Sequence, residues 1–357
     1  MILFVNTKIQ KKLFLMNVME KKLLHEGNFA IILIAMKKNY LLLLCFFVAS
    51  LVFAAEPSTA VFTGEDYSIY VTYSDLLQPG DPLCVRLDFT PSKKTMKEPN
   101  GLTQAVLLFG EKKKTDFFVL DGRNDANNAL SLCAMIPIST YQATGSYDVT
   151  IMYSAYGREY MKFNLPISIE HKDFISETLE LDNRNTAIKT DTSSTRMSQI
   201  DKLNEILFTV NSGAVYQRKP FVAPTTATRR TSFFGDRRVY AYVGGGSSTS
   251  LHYGIDYGIP TGSEVNACGA GRVVMAESRI SSGLSVVIEH MPGLYSLYYH
   301  LDSMNVKEGD MVKSGDMVGL SGSTGLATGP HLHWEVRLNG EAVNPDFFTE
   351  KSFLYFQ

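Results

Sequence analysis

Two short strings hold the side chains best suited to chemistry: His252 and Asp256 in L-H-Y-G-I-D-Y-G, and His331 and His333 in G-P-H-L-H-W-E-V. Each pair is separated by an even number of residues and sits among glycine, β-branched and aromatic neighbours rather than helix formers. In a strand, residues two or four apart point to the same face. Two such strands, side by side, would present imidazole and carboxylate to one point in space. Two histidines and one carboxylate, with a fourth position left for water, form a common ligand set of catalytic zinc. The pattern points to a hydrolytic metalloenzyme. No H-E-x-x-H string occurs, which disfavours a helix-borne zinc site with a glutamate base.

The elements that must position these groups are short strands. From residue 229 onward glycine is frequent and the clearest runs are G-R-V-V-M-A, L-S-V-V-I-E-H, L-Y-S-L-Y-Y-H-L and H-L-H-W-E-V-R-L. Long helical periodicity is absent, so 229–350 is expected to be a mostly-β domain. Residues 60–170 also break into short apolar or alternating runs, among them Y-S-I-Y-V-T-Y at 67–73, with turns at P-G-D, D-G and T-G-S. That spacing predicts a β-sandwich of immunoglobulin type, serving as a spacer, docking or folding module. Between the two, 171–228 reads as a connector. A polar stretch at 189–195 is followed by a helical pattern with Ile200, Leu203, Ile206, Leu207 and Val210 on one face. The extended 224–230 segment, or the G-G-G-S-S run at 244–248, is a candidate to lie across a groove and block it.

The 357 residues are enough for two folded domains plus extensions, and a formal net charge of −2 argues against a nucleic-acid partner. Residues 36–54 have a basic start, an apolar run and small residues ahead of A-E-P, the pattern of a secretory signal peptide. An uncleaved membrane anchor is the alternative. Residues 1–35 precede that signal and read as a start-site artefact or an extra N-terminal segment. Cys45 lies inside the apolar run, which disfavours a lipid-attachment cysteine. Cys84 and Cys133 either pair, as exported proteins allow, or stay as buried free thiols; Cys268 stands alone in the second domain.

The blocks S-F-F-G-D-R-R, H-Y-G-I-D-Y-G-I-P-T-G, A-C-G-A-G-R-V, Y-Y-H-L, V-K-S-G-D-M-V-G-L-S-G-S-T-G and T-G-P-H-L-H-W-E-V-R, in that order, resemble a lysostaphin-type (LytM-like) zinc metallopeptidase. The resemblance covers about 231–348. It implies a C-terminal lysostaphin-type β-domain that binds Zn2+ through His252, Asp256 and His333, with His300 and His331 catalytic. It also implies a peptidoglycan endopeptidase, with peptidoglycan peptides as substrate and an exported protein of the periplasm or cell envelope. A neutral imidazole beside the ligands can take a proton from water and return it to the leaving amine. His331 is placed for that work, and His300 for orienting water or stabilising the oxyanion, although the two roles can be exchanged. The rival reading is a non-catalytic wall-binding regulator of another hydrolase, which would typically have lost one of these five residues. Envelope or membrane association and a partner for the N-terminal domain stay open. His290, His171 and His25 read as structural or surface residues. Glu335 and Asp302 are either supports of the ligands or surface charges. Tyr295, Tyr298 and Tyr299 divide between core and substrate, and Arg237 either binds a peptide carboxylate or forms a structural pair.

Overall fold

The computed structural model describes residues 57–92, 101–110, 113–124 and 129–350. The segments expected to be a leader or artefact lie outside them. The described chain is mostly β, with two helices mid-chain.

The first ten strands are β1 (Ser58–Thr63), β2 (Tyr67–Tyr73), β3 (Leu76–Leu77), β4 (Pro82–Pro91), β5 (Leu102–Phe109), β6 (Lys113–Asp116), β7 (Phe118–Asn124), β8 (Ala129–Pro137), β9 (Gly145–Ala155) and β10 (Met161–Ile169). They form two five-stranded sheets, ordered β1-β2-β4-β8-β7 and β3-β10-β9-β5-β6. Alternation drives them together: in β2, Tyr67, Ile69, Val71 and Tyr73 are buried while the residues between are not. The sheets meet through aromatic pairs such as Phe62 stacked on Phe163, and through Tyr67 and Tyr153, whose hydroxyls lie 3.1 Å apart. Cys84 and Cys133 are buried free thiols. They sit on adjacent strands but out of register, Cys84 opposite Met135 and Cys133 opposite Arg86.

The connector holds β11 (Ser176–Glu180), α1 (Asn183–Thr190) and α2 (Ser194–Phe208). α2 matches the sequence pattern, with Leu203 and Leu207 buried; Val210 falls beyond the helix and is 57% exposed. α1 carries no apolar stripe, so periodicity could not reveal it. Its start is fixed by Asp182, which accepts from Asn185 N at 2.7 Å.

The rest comprises β12 (Arg230–Ser232), β13 (Arg237–Ala241), β14 (Ser247–Leu251), β15 (Gly254–Tyr257), β16 (Glu264–Asn266), β17 (Gly271–Arg279), β18 (Gly283–Met291), β19 (Leu294–Met304), β20 (Met311–Val312), β21 (Met317–Ser321), β22 (Leu332–Leu338), β23 (Glu341–Val343) and the short helix α3 (Pro345–Glu350). The backbone of this half is a sheet ordered β12-β15-β22-β19-β18-β17-β20. One of its faces packs on α2, joining Leu203 and Leu207 to Val287, Tyr295, Leu297 and Tyr299. The other carries Ile288, Tyr298, Trp334 and Val336 into a core continuous with that of the N-terminal sheets. β11 pairs in parallel with β13, which pairs with β14, so the connector contributes a strand to the C-terminal half.

The N-terminal sheets also brace the loop that leads into the first motif. Phe234 lies against Gly80, whose φ of +94° and lack of side chain are both needed: a Cβ there would stand 2.4 Å from the Phe234 ring. Arg237 donates to Thr140 O at 3.0 Å and stacks on Tyr141 and Phe174. Arg237 thus serves as a structural fastener.

Candidate metal centre and active site

Asp256 lies on β15 and His333 on β22, directly opposite one another in the ladder. His252 does not share a strand with Asp256. It sits in the turn between β14 and β15, where its N–H donates to Asp236 O and its carbonyl accepts from Gly235 N, both at 2.8 Å. The even spacing therefore brings His252 and Asp256 together through a turn, not through strand periodicity. His331 likewise precedes β22, held by a single bridge to Gly322.

His252 Nε2, Asp256 Oδ1 and His333 Nδ1 converge. The two nitrogens are 3.0 Å apart, and Oδ1 lies 3.1 Å from His252 Nε2 and 2.7 Å from His333 Nδ1. The outer nitrogens define the tautomers. His252 Nδ1–H donates to Phe233 O at 2.8 Å, and His333 Nε2–H donates to the buried Glu335 carboxylate at 3.0 Å. Both inner nitrogens are then lone pairs, facing each other and a carboxylate oxygen. Three acceptors with no donor between them are repulsive unless a cation stands among them.

A proton is the smallest cation that serves. Burial pulls the His333 pKa down, but hydrogen bonds to Asp256 and Glu335 outweigh it and lift it to about 9. Burial lowers that of His252. Burial also works against the Asp256 carboxylate, yet its two histidine partners hold its pKa well below the usual range. A divalent ion satisfies all three acceptors at once. Ligands about 2 Å from a tetrahedral zinc stand roughly 3.3 Å apart, so spacings of 2.7–3.1 Å need to open by little more than half an ångström at most. The donor set fits zinc.

The groups around the cluster fix it. Arg238 donates to Asp256 Oδ2 at 2.9 Å, leaving Oδ1 as the inward oxygen, and is itself held by Glu177 of β11 at 2.9 Å. Arg337 donates to Glu335 at 2.7 Å. Burial raises the Glu335 pKa, but Arg337 and His333 together bring it to about 2. The Tyr299 ring stacks on His333, 5.5 Å between centroids and 6° between planes. Glu335 is thus a support of a candidate ligand, whereas Asp302 is exposed. Arg238, Arg337 and Glu177 were not singled out in the sequence. The doubled arginine of F-G-D-R-R was the only available signal for Arg238.

His300 and His331 stand beside the cluster, ring centroids 4.7 Å apart. His331 Nδ1–H donates to Gly329 O at 2.8 Å and its Nε2 lies 3.8 Å from Asp256 Oδ1. His300, in the left-handed region at φ 60°, donates Nδ1–H to Thr324 O at 2.7 Å. Burial, and then His331 and His333, push the His300 pKa down to about 3. All five residues line one cavity of about 590 Å³. Neither 224–230 nor 244–248 is among its lining residues; α1 and α2 are. His290 is elsewhere, fully buried on the opposite face of the sheet.

Residues 250–345 match the family described as Peptidase family M23. A 124-residue stretch is 40% identical to the DD-carboxypeptidase/endopeptidase Mpg of Neisseria meningitidis, covering 35% of this chain and 28% of that protein. A 116-residue stretch is 39% identical to the peptidoglycan DD-endopeptidase ShyA of Vibrio cholerae, covering 32% of this chain and 26% of that protein. Among solved structures, the catalytic domain of the prophage-encoded M23 protein EnpA from Enterococcus faecalis is 38% identical, with 35% of this chain and 95% of that one covered and a TM-score of 0.30. The chain thus spans about a fifth to a third of the length of the curated relatives it matches.

Proposed function

Because the chain belongs to peptidase family M23 through residues 250–345, we propose that it is an exported, zinc-dependent endopeptidase that hydrolyses peptide bonds of peptidoglycan. The observation that carries this reading is the set of three converging acceptors flanked by two histidines in one cavity. Relatives named as peptidoglycan DD-endopeptidases support the substrate class and an envelope location. In the same reading the N-terminal pair of sheets is an immunoglobulin-like sandwich spanning 60–170, joined through 171–228 to a catalytic domain at 229–350. It braces the loop that holds His252.

His252 Nε2, Asp256 Oδ1 and His333 Nδ1 would hold the zinc. When bound, zinc at such a site polarises a carbonyl and lowers the pKa of water toward neutrality. The chain supplies the proton traffic. With Nδ1–H committed to Gly329, His331 presents Nε2 as an acceptor and takes the proton of the attacking water, later passing it to the leaving amine. His300 is kept neutral by burial and has its Nδ1–H committed to Thr324. Its Nε2 therefore accepts rather than donates, which suits it to orienting water and argues against a resting role as an oxyanion donor.

The test is digestion of purified sacculi by the full chain, with wild type, His331→Ala and chelator-treated samples in parallel and products identified by mass. Muropeptide release by wild type alone is expected. A zinc-loaded protein that releases nothing contradicts the enzyme and favours the regulator.

A further inference from the structure

One wall of the cavity comes from outside the matched region. Lys189 of α1 and Arg196 of α2 line it, and Arg279 at the end of β17, inside the matched region, lines the same cavity. The three carboxylates lining the same cavity are all committed: Asp256 and Glu177 to Arg238, and Glu335 to Arg337. Lys189, Arg196 and Arg279, by contrast, have no carboxylate within ion-pair distance among the described residues. The half-buried Lys189 ammonium rests 4.0 Å over the Tyr240 ring. Burial, then Arg196 and Arg238, lower its pKa. Arg196 donates to Ser281 Oγ at 3.1 Å and to the Asp191 backbone carbonyl; the Asp191 carboxylate, which feels its charge, is not part of the cavity lining. Arg279 is 8% exposed, donates to Ser282 Oγ and Gln199 O at 3.0 Å, and keeps a buried Nε with no partner.

These cations share a corner with the candidate catalytic histidines. The carbonyl of Ser282, whose hydroxyl receives Arg279, accepts from His300 N at 2.9 Å. Positive charge that is partly withdrawn from water and left without a counter-ion is costly. Beside a groove built for peptides, the natural compensation is an anion on the peptide.

We propose that Lys189, Arg196 and Arg279 form an anion subsite that holds a free carboxylate of the substrate peptide, next to the scissile bond. The inference rests on the endopeptidase reading and deepens it: the enzyme selects peptides that carry an unamidated carboxylate. α1 and α2 are then specificity elements added to a catalytic domain that lacks them. Lys189 is the movable member, because among the described residues its ammonium rests on the Tyr240 ring without a hydrogen bond, whereas both guanidinium groups are tied to backbone and serine oxygens.

The experiment uses cross-linked muropeptides purified from sacculi, and the same muropeptides after carbodiimide-driven amidation with ammonia. Cleavage by wild type, Lys189→Gln and Lys189→Arg is measured, and binding to the full-length His331→Ala protein is followed by calorimetry. Amidation is expected to raise KM and Kd about tenfold, the usual worth of a charge-assisted hydrogen bond, with kcat little changed. Lys189→Gln should show the raised KM already and be indifferent to amidation; Lys189→Arg should restore the preference. Equal KM and Kd for the two forms in wild type, undiminished discrimination in Lys189→Gln, or no binding of either form overturns the subsite. Cleavage without discrimination removes this inference alone. Discriminating binding without cleavage by wild type removes the endopeptidase and leaves the subsite standing.

Discussion

The two faces of one sheet treat histidine in opposite ways. On the face toward the cavity, His333 is bracketed by Asp256 and Glu335, stacked on Tyr299, and beside the lone pair of His252. On the opposite face, His290 donates Nδ1–H to Ala270 O at 2.7 Å, and its Nε2 lies 2.7 Å from Ser296 Oγ, which lies 3.0 Å from the Tyr298 hydroxyl. That hydroxyl accepts from Cys268 N at 2.8 Å. Every partner of His290 among the described residues is neutral, and His290 does not line the cavity that holds His333. Burial alone pushes its pKa down to about 4, against a modest lift from the Ala270 carbonyl. The carboxylates around His333 push the other way, to about 9. Burial is similar in the two places; what separates a candidate ligand from a core residue is the charge of its companions. Period-two alternation sets this up, since Tyr299, His333 and Glu335 fall on one face and Tyr298 and Trp334 on the other.

The largest effect should come from removing the proposed proton acceptor and leaving the proposed ligands. His331→Ala should slow cleavage by about 10²–10⁴-fold, the range for loss of a general base, while the protein keeps its zinc. Loss of zinc in that variant would make His331 part of the ligand set.

The core histidine makes a pH prediction of the opposite character. Its folded-state pKa of about 4 lies below the unfolded value of about 6.5. As pH falls through 6.5 the unfolded chain takes up this proton first, so stability is lost between pH 6.5 and 4. The loss attributable to His290 is at most about 3 kcal/mol. Denaturant unfolding across that window should show it, and His290→Gln should flatten that part of the slope. An identical slope in the variant would mean that His290 is not held neutral.

Glu335→Gln tests the carboxylate that orients His333. Zinc affinity should fall about 10–100-fold, as for other lost partners of ligating histidines. Unchanged affinity would reduce Glu335 to a partner of Arg337.

The smallest effect concerns how α2 is fastened beside the site. Lys202 pairs with Glu277 on β17, but the pair is exposed and screened. Lys202→Met should change unfolding free energy by less than about 0.5 kcal/mol. A larger loss would mean that the helix is held by charge more than by Leu203 and Leu207.

Much of this was legible in sequence, and the remainder has physical reasons. The strands of the N-terminal sheets and the apolar face of α2 showed because each repeats with its own period. α1 was hidden because it is docked by polar bonds, Asn185 Nδ2 to Ala327 O and Arg184 to Gly325 O, which leave no hydrophobic pattern. Four of the candidate site residues were visible by type and spacing and His300 only through the family resemblance of its Y-Y-H-L block, though His252 arrives through a turn. Arg238, Glu177 and Lys189 were not, since long-range ion pairs and cavity walls depend on which strands and helices meet. β11 reaching β13 in parallel is not encoded in any local motif.

The most direct test of the central claim is a zinc titration of the full chain, in competition with a chromophoric chelator, comparing wild type with His333→Ala. The three converging acceptors predict one tightly held equivalent in wild type and a loss of affinity of at least about 100-fold in the variant, whose remaining donors no longer close around the ion. A wild-type protein that takes up no zinc, or a variant that binds it as tightly, would contradict the metal centre on which the proposed function stands.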